Sequence, residues 1–155
     1  RLILPTHQEK ACLPIQRVCI CHLPENFCMS TAAEISRFAV SKEIRKVASV
    51  ERPEELKYAE VFGLMKAIVQ MSFEYGITDW LAVMEPSLLR LLHRFGVHFT
   101  PIAPLVEHHG MRQPCRANVA ALLDAVQEEH FALWEFVTES GRFESNKNVA
   151  VGCSV

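Results

Sequence analysis

Glu34 and Arg37 stand three residues apart in Glu34-Ile35-Ser36-Arg37-Phe38-Ala39-Val40, an acid and a base inside an otherwise apolar run. A carboxylate held against apolar surroundings has its pKa raised, which helps it accept a proton near neutrality. Two charges on one core element are costly to bury unless something pairs with them. They are therefore either the working groups of a site or charges satisfied by a neighbouring strand or cap. The run is short, β-branched and aromatic between Thr31 and Ser41-Lys42-Glu43, and this predicts a strand over 33–40. Alternation then puts Glu34 on one face with Ser36 and Phe38, and Arg37 on the other with Ile35 and Ala39.

Other reactive side chains form weaker patterns. Cys12, Cys19, Cys21 and Cys28 share one loop-like segment, with His22 beside Cys21. Their C-x6-C-x-C-x6-C spacing lacks the paired C-x2-C knuckles of structural zinc sites, so reduced, partly buried thiols are expected. Cys115 and Cys153 are isolated. Glu107-His108-His109-Gly110 reads as a turn, and no H-E-x-x-H or third-ligand spacing follows it. No metal site is expected. His93 falls at the solvent boundary of an amphipathic helix. Met65, Met71 and Met84 read as core packing that is also able to line an apolar channel.

A chain of 155 residues, half of them apolar and 22% charged, is expected to form one domain with a real core. A net charge of −2 argues against general nucleic-acid binding. Charge is nonetheless uneven. Arg37, Lys42, Arg45, Lys46 and Arg52 face only Glu43 and Glu51, whereas residues 124–144 hold six acids against Arg142. No signal peptide is visible, and no apolar run approaches the roughly 18 to 20 residues that span a bilayer. A soluble, cytoplasmic protein is expected.

The elements that must position these groups follow from periodicity and punctuation. Arg1–Leu4 reads as a strand end stopped by Pro5, and 5–30 as a long connection with a helical turn near Ile15–Ile20. Glu54–Tyr75 is expected to be the longest helix, with Leu56, Ala59, Phe62, Met65, Ile68, Val69 and Ser72 inward and Gly76 at its end. A short strand at Trp80–Met84, a helix at Pro86–Phe95 closed by Gly96, and an irregular strand at Val97–Val106 come next. Helices at Asn118–Glu129 and Phe131–Thr138 complete the chain before a loose tail. The order implies an α/β domain with a mixed sheet.

Several phrases resemble those of a known group of enzymes. Glu34-x-x-Arg37-Phe38 resembles the Glu-x-x-Arg-Phe strand of N-acylhomoserine lactone synthases, and Arg1-Leu2-Ile3-Leu4-Pro5-Thr6 their Arg-Leu-Leu-Pro-Thr segment. Trp80-Leu81-Ala82-Val83-Met84-Glu85 leading into Leu88–Gly96 is similar to the strand and helix that close their acyltransferase core. Arg37–Lys42 and Pro101-Ile102-x-Pro104-Leu105-Val106-Glu107-x-His109-Gly110 are closer still to PEP-CTERM/exosortase-associated acyltransferases and N-acyl amino acid synthases. The likeness runs over residues 1–113, in family order.

The resemblance implies a GNAT-like α/β fold, with 1–113 as the C-terminal portion of the core and 114–155 as a helical appendage and tail. It also implies that an N-terminal segment is missing. The activity implied is transfer of a fatty acyl chain from acyl carrier protein to the amine of an amino acid or similar small acceptor, in the bacterial cytoplasm. Glu34 would be the general base, directly or through water, or would bind the acceptor's ammonium. Arg37 would contact the acceptor or hold the site's loops, and Arg1 matches an arginine of the same site. Lys42, Arg45 and Lys46 would meet the donor's phosphopantetheine or its carrier protein, and Phe38, Met65 and Met84 would line the acyl pocket. No tightly bound cofactor is implied beyond the acyl thioester. The glycine phosphate loop of coenzyme A-dependent acetyltransferases is absent, with no glycine between Ala39 and Gly63, which disfavours that alternative. A non-catalytic module binding acyl carrier protein or lipid is the other.

Overall fold

The computed structural model of the chain describes residues 1–5, 13–25, 27–37 and 59–143. Over these residues the fold is α/β, a mixed sheet with flanking helices, as the element order implies. Strands β1 (Leu2–Ile3), β2 (Ala32–Ile35), β3 (Asp79–Met84), β4 (Thr100–Pro101), β5 (Val106–Glu107) and β6 (Met111–Asn118) build the sheet. Their order is β1-β2-β3-β6-β4, with β5 also paired to β6. Among the described strands only the β2–β3 pair is parallel, and helix α2 (Ala59–Glu74) lies in the connection between them. The other helices are α1 (Ile15–Val18), α3 (Pro86–His93), α4 (Val119–Glu129) and α5 (Phe131–Thr138).

Helix α2 buries Met65, Ile68, Val69 and Ser72, the stripe its periodicity sets out. Gly76 takes φ +62 after it, which a side chain resists. The Ile77 N–H then reaches back to the Ser72 carbonyl and the Gly76 N–H to Phe73, satisfying the last turn. Ser72 also receives the Trp80 indole N–H at 2.8 Å, so the largest side chain of β3 is buried without an orphan donor. Gly96 repeats the left-handed closure after α3, and here space matters too: a Cβ would meet Glu129 and Val126 of α4 at 3.2–3.3 Å.

Strand alternation sorts the sheet into two faces. Ala33 and Ile35 of β2, Trp80 and Ala82 of β3, and Cys115 and Ala117 of β6 face the core built by α2, α3, α4 and α5. Ala32 and Leu81 face the other way, against Leu13, Ile15 and Ile102, with Cys19, Cys21, Leu23 and Phe27 packed around them. That second face has the four-residue α1 and the connection after it as its cover.

Two expectations need correction. The strand expected over Val97–Val106 is reduced to Thr100–Pro101 and Val106–Glu107, because Pro101 and Pro104 lack the N–H groups a continuous ladder needs. The eight-residue β6 has no counterpart in the sequence reading, although it pairs with β3 along the length of that strand. Its Pro114 is the cause, since proline argues against a central strand. Here Pro114 offers its carbonyl to the Ile102 N–H at 3.0 Å, and the return bond to the Ile102 carbonyl comes from the His22 N–H at 2.7 Å. The 113/114 division expected from sequence falls within this strand.

Candidate active site

Glu34 lies in β2, opposite Ile3 of β1 and Leu81 of β3, on the thinly covered face. It is 5% exposed, and its Oε2 accepts the Ile15 N–H at 2.6 Å. That N–H is at the start of α1, where a helix leaves its first donors unpaired. Burial raises the carboxyl's pKa; the Ile15 N–H and the charges of Arg1 and His108 oppose it without cancelling it. Among the described residues Glu34 forms no ion pair. The result is a desolvated carboxyl with one firm backbone tether, able to take a proton more readily than a surface glutamate.

Arg1 extends β1 toward this site: its backbone nitrogen donates to the Ser36 carbonyl at 2.9 Å and its carbonyl accepts from Ser36. Alternation from Ile3, the partner of Glu34, sets Arg1 on the same face. Arg37 is placed differently from expectation. The strand ends at Ile35, and Arg37 is exposed with φ +53. A left-handed residue turns the chain out of the pleat, so alternation from Ile35 does not govern its side chain. Holding a non-glycine residue there costs on the order of 1–2 kcal/mol, a strain that recurs at functional sites.

The sequence pattern pointed to neither Ile15 nor His108 as neighbours of Glu34. The helical turn expected near Ile15 was the available signal for the first. His108 is in the β5–β6 turn, where the His108 N–H donates to the Gly110 carbonyl and the Gly110 N–H to Glu107 Oε1. A second group on this face was hidden with β6: Asp79, 7% exposed, takes both Nε and Nη2 of Arg116 at 2.9 and 2.6 Å. Thr78 donates to its other oxygen at 2.9 Å, and the Arg116 guanidinium lies over Phe27. This cluster is fully engaged and ties β3 to β6.

Met65 and Met84 come together on the opposite face, around a small cavity of about 20 Å³ whose wall also includes Ile35, Trp80, Val97 and Phe99. Every lining side chain is apolar. The space holds about one water. Val97 and Phe99 also border an open groove of about 570 Å³ that carries Arg90, His93 and Gln113. Phe38, Lys42, Arg45 and Lys46 lie outside the described residues. Among the described residues no three His, Cys, Asp or Glu side chains gather as metal ligands. Cys19, Cys21 and Cys28 carry half-buried thiols and Cys115 is buried, and among the described residues no helix is long and apolar enough to cross a membrane.

No protein-family model matches the chain, and no curated protein matches its sequence. Two solved structures of a CoA-dependent acyl-homoserine lactone synthase, BjaI, show a partial likeness to it. One holds SAM and isopentyl-CoA, with 18% identity and a TM-score of 0.47; the other holds MTA, with 19% and 0.46. Each match covers 66% of this chain and 43% of the synthase, so the chain spans less than half the length of those proteins.

Proposed function

We propose that the chain is the core of a GNAT-like N-acyltransferase that moves a fatty acyl chain from an acyl carrier protein thioester to the amine of an amino acid or similar small acceptor. The observation that carries this reading is Glu34: a buried carboxyl with a raised pKa, anchored by one backbone N–H and free of any ion pair among the described residues. In the reaction the acceptor nitrogen attacks the thioester carbonyl, a C–N bond forms, and the C–S bond breaks. Glu34 takes the nitrogen's proton, and the leaving sulfur is released as the carrier thiol. A thioester is already activated, so positioning supplies much of the rate without a covalent enzyme intermediate. Arg1 and Arg37 would orient the acceptor, and Lys42, Arg45 and Lys46 the carrier's phosphopantetheine arm. The sequence phrases shared with exosortase-associated acyltransferases support a bacterial, cytoplasmic setting.

The narrow apolar cavity between α2 and β3 lies on the face opposite Glu34. The acyl chain would therefore have to pass round the end of β2 to enter it, and Met65, Met84 and Phe99 would have to swing aside. Methionine side chains adapt to this readily. The same narrowness favours a second reading, in which the domain binds acyl carrier protein and turns nothing over. The deciding experiment is mass spectrometry of the parent protein with a panel of acyl carrier proteins, acyl-CoA thioesters and mixed amino acids, beside Glu34→Gln. N-acyl products that vanish in the variant establish the acyltransferase, and the thioester consumed names the donor. Carrier binding without product from either protein establishes the binding module.

A further inference from the structure

We propose that Cys19 and Cys21 form a reversible dithiol–disulfide pair, a modification site at the end of α1, whose oxidation by a peroxide or a small disulfide loosens the tether on Glu34. The pairing stands independently of acyl transfer. The two Sγ atoms are 3.2 Å apart and share a hydrogen bond. Both residues are half-buried and within reach of small oxidants, while Ile20 between them is 89% exposed and points away. Cys19 is extended, with φ −152 and ψ 161, which sends the side chains at positions 19 and 21 to the same side.

The chemistry balances in two steps. One thiol, as thiolate, attacks hydrogen peroxide to give a sulfenic acid and water; the second thiol then displaces that hydroxyl, forming the S–S bond and a second water. Burial, then the hydrogen bond and charge of Cys19, then the charge of Glu34, hold the Cys21 thiol up at about 12. Either thiol can take the first oxidation, and the other then resolves the sulfenic acid. The sulfurs must close from 3.2 Å to about 2.05 Å. Extended backbone sets Cα atoms two residues apart at about 6.6 Å, near the upper limit for a bridge, so the bond is strained and easily reduced.

The strain has a direct path to the site. The Cys19 N–H and thiol both bond the Ile15 carbonyl, and the Ile15 N–H holds Glu34. Oxidation removes the Cys19 S–H donor and pulls on the end of this single turn. The test is to expose the reduced parent protein to hydrogen peroxide, and separately to glutathione disulfide, and map the products by mass spectrometry. A peptide containing Cys19 and Cys21 that loses two hydrogen atoms before Cys28 or Cys115 reacts, and regains them with dithiothreitol, is expected. Cys19→Ser and Cys21→Ser should each abolish that product. A stable glutathione adduct, a bridge to another cysteine, or no oxidation at the pair overturns the assignment. Carboxyl NMR titration of Glu34 checks the coupling: its midpoint should move upward on oxidation, and an unmoved midpoint overturns the link to the site.

Discussion

The two faces of the sheet are built to different standards. On one, α2, α3, α4 and α5 stack Met65, Ile68, Val69, Leu122, Leu123, Val126 and Val137 against β2, β3 and β6. On the other, one helical turn and an irregular connection bring Leu13 and Ile15 into the cluster of Leu81 and Ile102, and the same cover meets Glu34 and, through Phe27, Arg116. The first face carries most of the apolar burial and so most of the stability. The second holds the groups able to do chemistry, under a cover able to move at little cost to the fold. Stability and reactivity are divided across a single layer of strands.

Substitutions on each side test this division, and the largest effect belongs to the helical face. Leu122→Ala should lower the unfolding free energy by about 2–5 kcal/mol, read by urea denaturation, while activity per folded molecule stays near the parent's. Ile15→Ala is its counterpart under Glu34. A smaller stability loss with a clear fall in activity is expected there, and the reverse pattern would break the comparison. Glu34→Gln should cut acyl transfer by about 10²-fold or more with the fold intact by circular dichroism.

The same variant should also change how stability depends on pH. Because Glu34 is raised in the folded state, the protein binds its proton more tightly folded than unfolded. That contribution is fully present below the ordinary carboxylate pKa and is lost as pH rises through the folded-state value. Glu34→Gln should therefore gain stability relative to the parent across that window, and a flat difference would contradict the buried placement. Met84→Trp, which overfills the cavity, should cost about 1–3 kcal/mol and shift any acyl preference to shorter chains. The smallest effect expected is Asn118→Ala. It removes the cap on the Ala121 N–H and should cost about 1 kcal/mol, with activity unchanged.

How much of this was legible in the sequence depends on which physical signal each element sends. From Ala59 onward the α2 stripe, with the α3 and α4 patterns and the closing glycines Gly76 and Gly96, is local and read correctly; Glu54, the expected helix start, and Leu56 lie outside the described residues. Strand β3 is a short apolar run and also read correctly. Strand β6 did not, because Pro114 argues against a central strand and Arg116 against a buried one, and both are reconciled by partners distant in sequence, Ile102 and Asp79. With β6 unread, the Asp79–Arg116 pair was invisible. Glu34 stood out because an acid in an apolar run is conspicuous. Its tether could not be read, because the partner is a backbone N–H that any residue at position 15 except proline would supply. Arg37 shows the opposite failure: alternation assumed a pleat that its left-handed φ ends.

Pro114 has a consequence beyond its own strand. By lacking an N–H it leaves the Ile102 carbonyl without its ladder donor, and the His22 N–H fits that acceptor. The defect works as a keyed socket. It fixes, from the far side of β6, where the connection carrying α1 and the two thiols must land, and therefore where the lid over Glu34 sits. A more regular residue at position 114 would complete the sheet's own bonding, and in doing so would evict the segment that shapes the site.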